Sequence, residues 1–161
     1  MLLAWACCFH VARGTERPGD MAIAAELQKY TIAVIAVQRD YLSLSEVASG
    51  EERFNLYWTY NQSVGTWRQV EFLRALLDLS VAATLPSDEQ TNRAALRDQA
   101  QFVLWELDHA IADLEQNVPK VEQLNYVRIN EVLRSLLSDV HATVNRLLAD
   151  QCVRTPCAAG S

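Results

Sequence analysis

Ile23, Leu27, Tyr30, Val34, Val37, Tyr41, Leu44 and Ala48 follow one another at alternating steps of four and three. In an α-helix such positions fall on one face, and four heptads of them make a seam that has to be buried against other helices. Leu96, Ala100, Val103, Leu107, Ala110 and Leu114 repeat the spacing further along. Turn residues are scarce: five Gly and four Pro in 161 residues. An all-β fold needs such residues every ~8–12 positions, whereas long helices need few. With 50% hydrophobic and 21% charged residues, the chain has the balance of a globular domain. The expected fold is therefore all-α, an antiparallel up-down-up-down four-helix bundle.

The punctuation places the elements. Helices are expected over about 20–48, 51–85, 88–117 and 119–151. They are preceded by an apolar leader over 1–19 and followed by a flexible tail over 152–161. Asp20 is the expected cap of helix one. Ser49-Gly50 breaks the chain, and Ser49 with Glu52 reads as a capping box opening helix two, as Ser87 with Gln90 does for helix three. Pro119 suits the first turn of helix four. Connections of two to four residues make consecutive helices antiparallel. Two irregularities stand out. The heptad phase of helix two is poor between Asn61 and Arg68, around Gly65, which suggests a kink, a phase shift or a close helix contact. The plainer alternative is a tolerated surface glycine. In helix four the stripe Tyr126, Ile129, Leu133, Leu136, Val140, Leu147 slips by one residue at Thr143/Val144.

Charge narrows the classes of partner. The formal net charge is −6 and Arg alternates with Asp and Glu, without the basic run that neutralising phosphates requires. Nucleic-acid binding is not expected. No run of 18 uncharged apolar residues suggests a membrane-spanning helix. Met1 to Ala12 are apolar except for His10. They have the length of a secretory h-region but lack its basic n-region. They are read as a signal peptide whose start lies upstream, which makes the protein periplasmic or secreted, or as an N-terminal extension of a cytoplasmic one. Cys7, Cys8, Cys152 and Cys157 all lie toward the two ends. Their spacing suits neither a zinc site nor haem attachment, so they are disulfide candidates for an oxidising compartment.

Few residues carry catalytic chemistry. Glu106-Leu107-Asp108-His109 fits the Glu-x-x-His element of di-iron bundles, but His141 has Ser138 in the acidic position, so no second copy exists. Reflecting helix three about 118–119 puts Glu106 level with Glu131, with Glu71 about one turn away, and sets His109 and His141 roughly 20 Å apart along the axis. Glu106, His109, Glu131 and Glu71 thus form a weak alternative for one metal. Met1 and Met21 are the two methionines, placed too near the chain start to ligate a haem in the bundle. Phosphate-loop, esterase and zincin motifs are missing. The expectation is a non-enzymatic protein with no catalytic residue and no cofactor.

What remains is the distribution of aromatic residues. Phe102, Trp105 and His109 fall at i, i+3 and i+7, away from the Leu/Ala stripe of helix three. The outer face of a bundle helix should be polar, so these three are the candidate surface for a protein partner or a homodimer. The competing explanations are a cover formed by residues 1–12 and a phase shift that buries Trp105 between helices. A second functional expectation is a sensor-type bundle with a small-ligand pocket lined by Tyr30, Tyr41, Tyr57, Trp58, Gly65 and Trp67, between helices one and two.

Overall fold

The computed structural model describes residues 18–82, 86–117 and 124–154. They form four helices, α1 (Pro18–Val47), α2 (Gly50–Ala82), α3 (Pro86–Asn117) and α4 (Leu124–Arg154), with no strand among the described residues. α1 and α3 each pack on both α2 and α4. The helices therefore stand at the corners of a square, as expected of a four-helix bundle. Cross-links confirm that neighbours run antiparallel. Near the start of α1, Asp20 meets Gln151 of α4, and near its end Tyr41 meets Asn130.

Helix ends follow local chemistry. α1 begins two residues before the expected cap, at Pro18, a residue whose fixed φ and missing N–H suit a first turn. Asp20 lies inside that turn and is buried. It accepts from Gln151 Nε2 at 3.5 Å and so links the first helix to the last. Between α1 and α2, Gly50 turns the chain with a φ of 59°, a left-handed conformation that costs other residues about 1–2 kcal/mol. Arg53 closes the end of α1: its Nε and Nη2 donate to the carbonyls of Ser45 and Glu46 at 2.9 and 3.0 Å. A cation at a helix C-terminus is favoured by the macrodipole. Glu52 Oε1 has no hydrogen-bond partner, so the reciprocal half of the Ser49/Glu52 box is not made. Ser87 and Pro119 lie outside the residues whose side chains are described.

The seams of α1 and α3 are those the spacing predicts. All six α3 positions are buried, and on α1 Tyr30, Leu44 and Ala48 pack on the edge of the same core. The two irregular seams turn out to be regular. On α4 the buried line is Tyr126, Asn130, Leu133, Leu137, Val140, Val144, Leu147 and Gln151, an unbroken 4-3 pattern. Asn130 and Leu137 take the places expected for Ile129 and Leu136, and no slip occurs. On α2 the line is Leu56, Thr59, Ser63, Thr66, Val70, Leu73, Leu77 and Ser80. Its phase is continuous, and it looked broken because four of its members are polar. Gly65 faces outward, and a Cβ there would meet no atom within 4 Å. It is a surface glycine, neither a helix contact nor a pocket residue.

Candidate functional site

On the outer face of α3, Phe102, Trp105 and His109 form a ladder of rings. Phe102 stacks on Trp105 at 6.0 Å between centroids, and Trp105 leans on His109 at 4.1 Å. Phe102 and Trp105 are 42% and 54% exposed, so the phase shift that would bury Trp105 does not occur. His109 Nδ1 lies 2.7 Å from the Trp105 carbonyl. That carbonyl can only accept, so Nδ1 is the donor in this contact. Sequence spacing brought these three residues together, and the fold keeps them together on one face.

The ladder stands beside the groove between α2 and α3. Gln99 Nε2 donates to the Gln69 side chain and carbonyl, both at 3.3 Å. Seven and fourteen residues after Gln99 come Glu106 and Asp113, on the same flank of α3. Nearer the α1–α2 turn the groove deepens into a recess. Trp58, Thr59, Gln62 and Ser63 line it from α2, Ala110, Asp113 and Leu114 from α3, and Leu133 and Leu137 from α4. Its volume is about 20 Å³, room for about one water molecule. Trp58, half exposed and stacked on Phe54 at 6.2 Å, flanks its mouth. Glu106 and Asp113 are half-buried, and no hydrogen bond or ion pair engages either among the described residues. Two half-buried carboxylates in other grooves do have partners. Glu71 holds Thr31 at 2.6 Å and Arg74 at 2.8 Å, and Glu26 holds Arg146 at 2.5 Å. Partial burial alone would raise the Glu71 carboxyl, but the Thr31 hydroxyl and the Arg74 guanidinium outweigh it and hold the group below its ordinary 4.5.

No family model matches the sequence, and no curated protein or solved structure resembles it significantly. The site is therefore read from its own chemistry.

Behind the recess lies a polar layer inside the core. The Tyr41 hydroxyl donates to Asn130 Oδ1. Thr59 donates to the Asn55 carbonyl at 3.0 Å, so the Tyr126 hydroxyl, 3.3 Å away, is the donor to Thr59 Oγ1. The Tyr41 and Tyr126 rings meet edge to face at 6.1 Å. Burial, and secondarily the neighbouring Tyr126, pushes the Tyr41 phenol well above its ordinary 10.0. It remains a neutral donor. Asn130 Nδ2 is buried without a hydrogen-bond partner.

The residues proposed for a ligand pocket do not converge. Tyr41 and Trp67 are buried, Tyr30 packs on the core edge, and Tyr57, Trp58 and Gly65 face outward. Trp58 alone among them lines the recess. The metal alternative fares likewise, because the register of α3 on α4 differs from the expected one. Asp108 pairs with His141 at 3.1 Å and Glu115 with Arg134 at 3.6 Å. His109 is therefore close to the level of His141, not roughly 20 Å away, and Glu106 and Glu131 are far apart in height. The expected reflection point was too early, because α4 begins at Leu124. Glu71 belongs to the α1–α2 groove. No group of three or more His, Cys, Asp or Glu able to hold a metal forms among the described residues. Cys7, Cys8 and Cys157 lie outside those residues, and Cys152 follows Gln151, where the ends of α1 and α4 meet. No described helix is long and apolar enough to cross a membrane.

Proposed function

We propose that this chain is a non-enzymatic, exported helical bundle that acts by binding another protein through the outer face of α3. The observation that carries this reading is the exposed ladder of Phe102, Trp105 and His109 on a helix whose inner seam is complete. Aromatic side chains are favoured interface anchors because they bury a large area and lose little rotamer entropy. The ladder supplies no nucleophile with a base beside it and no cluster of titratable groups, so binding accounts for it better than catalysis. Export rests on the apolar composition of Met1 to Ala12. A sensor-type bundle fits less well. The aromatic residues expected to line its pocket do not converge, and the hollow of about 340 Å³ that does lie between α1 and α2 is bordered by Met21, Ala24, Ala25, Gln28, Arg74, Asp78 and Val81, none of them in that set.

The test compares wild-type protein with Phe102→Ala/Trp105→Ala as baits in an extract of the native source, quantified by mass spectrometry. A protein retained by the wild type and reduced at least about tenfold by the double variant supports the assignment. Identical retained sets and identical oligomer sizes reject this face.

A further inference from the structure

We infer that the α2–α3 groove selects a basic amphipathic helix of a partner protein, with the apolar side of that helix on Trp58, Phe102 and Trp105 and its cations on Glu106 and Asp113. This inference rests on the protein-binding reading above and specifies the chemistry of the partner. Three grooves of the bundle are tied by a carboxylate with a partner of its own: Glu71 between α1 and α2, Glu26 between α1 and α4, Asp108 between α3 and α4. The α2–α3 groove is tied by an amide pair, Gln69 with Gln99. Its carboxylates, Glu106 and Asp113, stand on the groove flank at heptad spacing and are half-buried.

A half-buried carboxylate without a counter-charge has lost part of its hydration and gained nothing in exchange, so an incoming cation is worth more there than at a fully solvated site. The cations of α2 do not serve. Arg53 is engaged at the end of α1 and Arg74 with Glu71, while Arg68 is exposed. Three residues beyond Asn55, Gln62 and Gln69, the residues Trp58, Gly65 and Phe72 follow one another at sevenfold spacing along the outside of α2. All three are exposed, with Trp58 and Phe72 at 52% and 54%. Gly65 leaves the wall low between two aromatic posts, with open space where a Cβ would stand. Across the groove, Phe102 and His109 stand three residues beyond Gln99 and Glu106.

Two aromatic rows bordering an acidic floor match a helix with a narrow apolar stripe flanked by Lys or Arg. A second copy of the chain fits poorly. A two-fold contact on this groove would set Glu106 and Asp113 against themselves, in a chain whose formal net charge is already −6.

Calorimetric titration of the full chain tests the inference with two synthetic helical peptides. Both carry Leu at i, i+3, i+4 and i+7, and one has Lys and the other Glu at the remaining positions. The Lys peptide is expected to bind, more weakly as salt rises, and the Glu peptide to bind at least about tenfold less tightly. Glu106→Gln/Asp113→Asn should weaken the Lys peptide about tenfold. Equal affinity for the two peptides, or an unchanged Kd in that variant, overturns the selection for a basic helix.

Phe102→Ala/Trp105→Ala separates the two claims. If it abolishes binding while the carboxamide variant does not, selection by charge fails and the aromatic face stands. If it leaves binding intact, the face itself fails. Two further outcomes reassign the occupant. A concentration-dependent dimer lost in Phe102→Ala/Trp105→Ala gives the groove to a second copy. Peptide binding that requires removal of residues 1–12 gives it to the chain's own apolar start.

Discussion

Around Leu27, Val34, Leu73, Leu77, Leu96 and Leu147 the core is aliphatic and fully closed to solvent. Toward the α1–α2 turn it is built instead on Tyr41, Thr59, Tyr126 and Asn130, joined by hydrogen bonds between α1, α2 and α4. The aliphatic region gains most from burial, but one Leu tolerates another, and a seam of such residues loses little if a helix slides by a heptad. The polar layer behaves oppositely. Its net contribution to stability is small, since each internal hydrogen bond replaces one to water. A slipped helix would nevertheless leave a phenol and an amide unpaired in the core. One region stabilises the bundle and the other fixes its register, as a lone seam Asn does in coiled coils. The outer groove with Trp58 and Asp113 opens next to the register-fixing region, where the relative heights of the helices matter most for a docking surface.

The largest effect should come from the aliphatic region. Leu73→Ala is expected to lower stability by about 2–5 kcal/mol, the usual range for a fully buried Leu, read as a shift in urea midpoint. An effect under about 1 kcal/mol would mean that this region is not close-packed. In the polar layer, Tyr41→Phe should cost about 1–3 kcal/mol by leaving Asn130 without its donor. Replacing both partners, Tyr41→Phe/Asn130→Leu, should recover most of that loss while adding alternative helix registers, visible as extra amide resonances. A double variant as unstable as the sum of Tyr41→Phe and Asn130→Leu measured separately, with a single set of resonances, contradicts the division of roles.

Two glycines sharpen the comparison with opposite signs. Gly50→Ala should destabilise by about 1 kcal/mol or more, because alanine resists the left-handed φ of the turn. Gly65→Ala should stabilise by about 0.5–1 kcal/mol through helix propensity, because the position is open and exposed. Thermal unfolding of both variants under one condition distinguishes them.

The smallest effect is that of pH at Glu71. Its carboxyl titrates below its ordinary 4.5 in the folded protein, so the folded state favours the ionised form. That contribution is present above about pH 4.5 and is lost as pH falls through the lower folded value. Glu71→Gln should flatten this part of the acid limb, while Thr31→Val should weaken it. An acid limb unchanged in Glu71→Gln would assign the loss to other carboxylates.

Much of the fold was legible in the residues because apolar spacing is a direct trace of burial. The seams of α1 and α3 consist of apolar residues and were read correctly position by position. α2 and α4 were harder for one reason. Thr59, Ser63, Thr66 and Asn130 occupy seam positions, and a search for hydrophobic periodicity passes over them. Allowing polar residues that keep the 4-3 phase would have recovered both seams. At the candidate site, Phe102, Trp105 and His109 were found because they break the polarity expected of an outer face. Glu106 was singled out for metal chemistry, whereas it stands on the flank of α3 that also carries Gln99 and Asp113, facing α2. Asp113 had no local signal at all, being an ordinary acidic residue on an amphipathic helix.

Periodicity and punctuation within the chain determined four helices, the inner faces of α1 and α3 and the exposed ladder on α3, because each depends on spacing within a single helix. Only the tertiary structure decided the heights at which the helices meet. The pairing of Asp108 with His141 overturned the expected reflection of α3 onto α4 and dispersed the metal alternative. Register depends on where α4 begins and on which buried hydroxyls and amides find partners across helices, and those are long-range matches that no single stretch of sequence encodes.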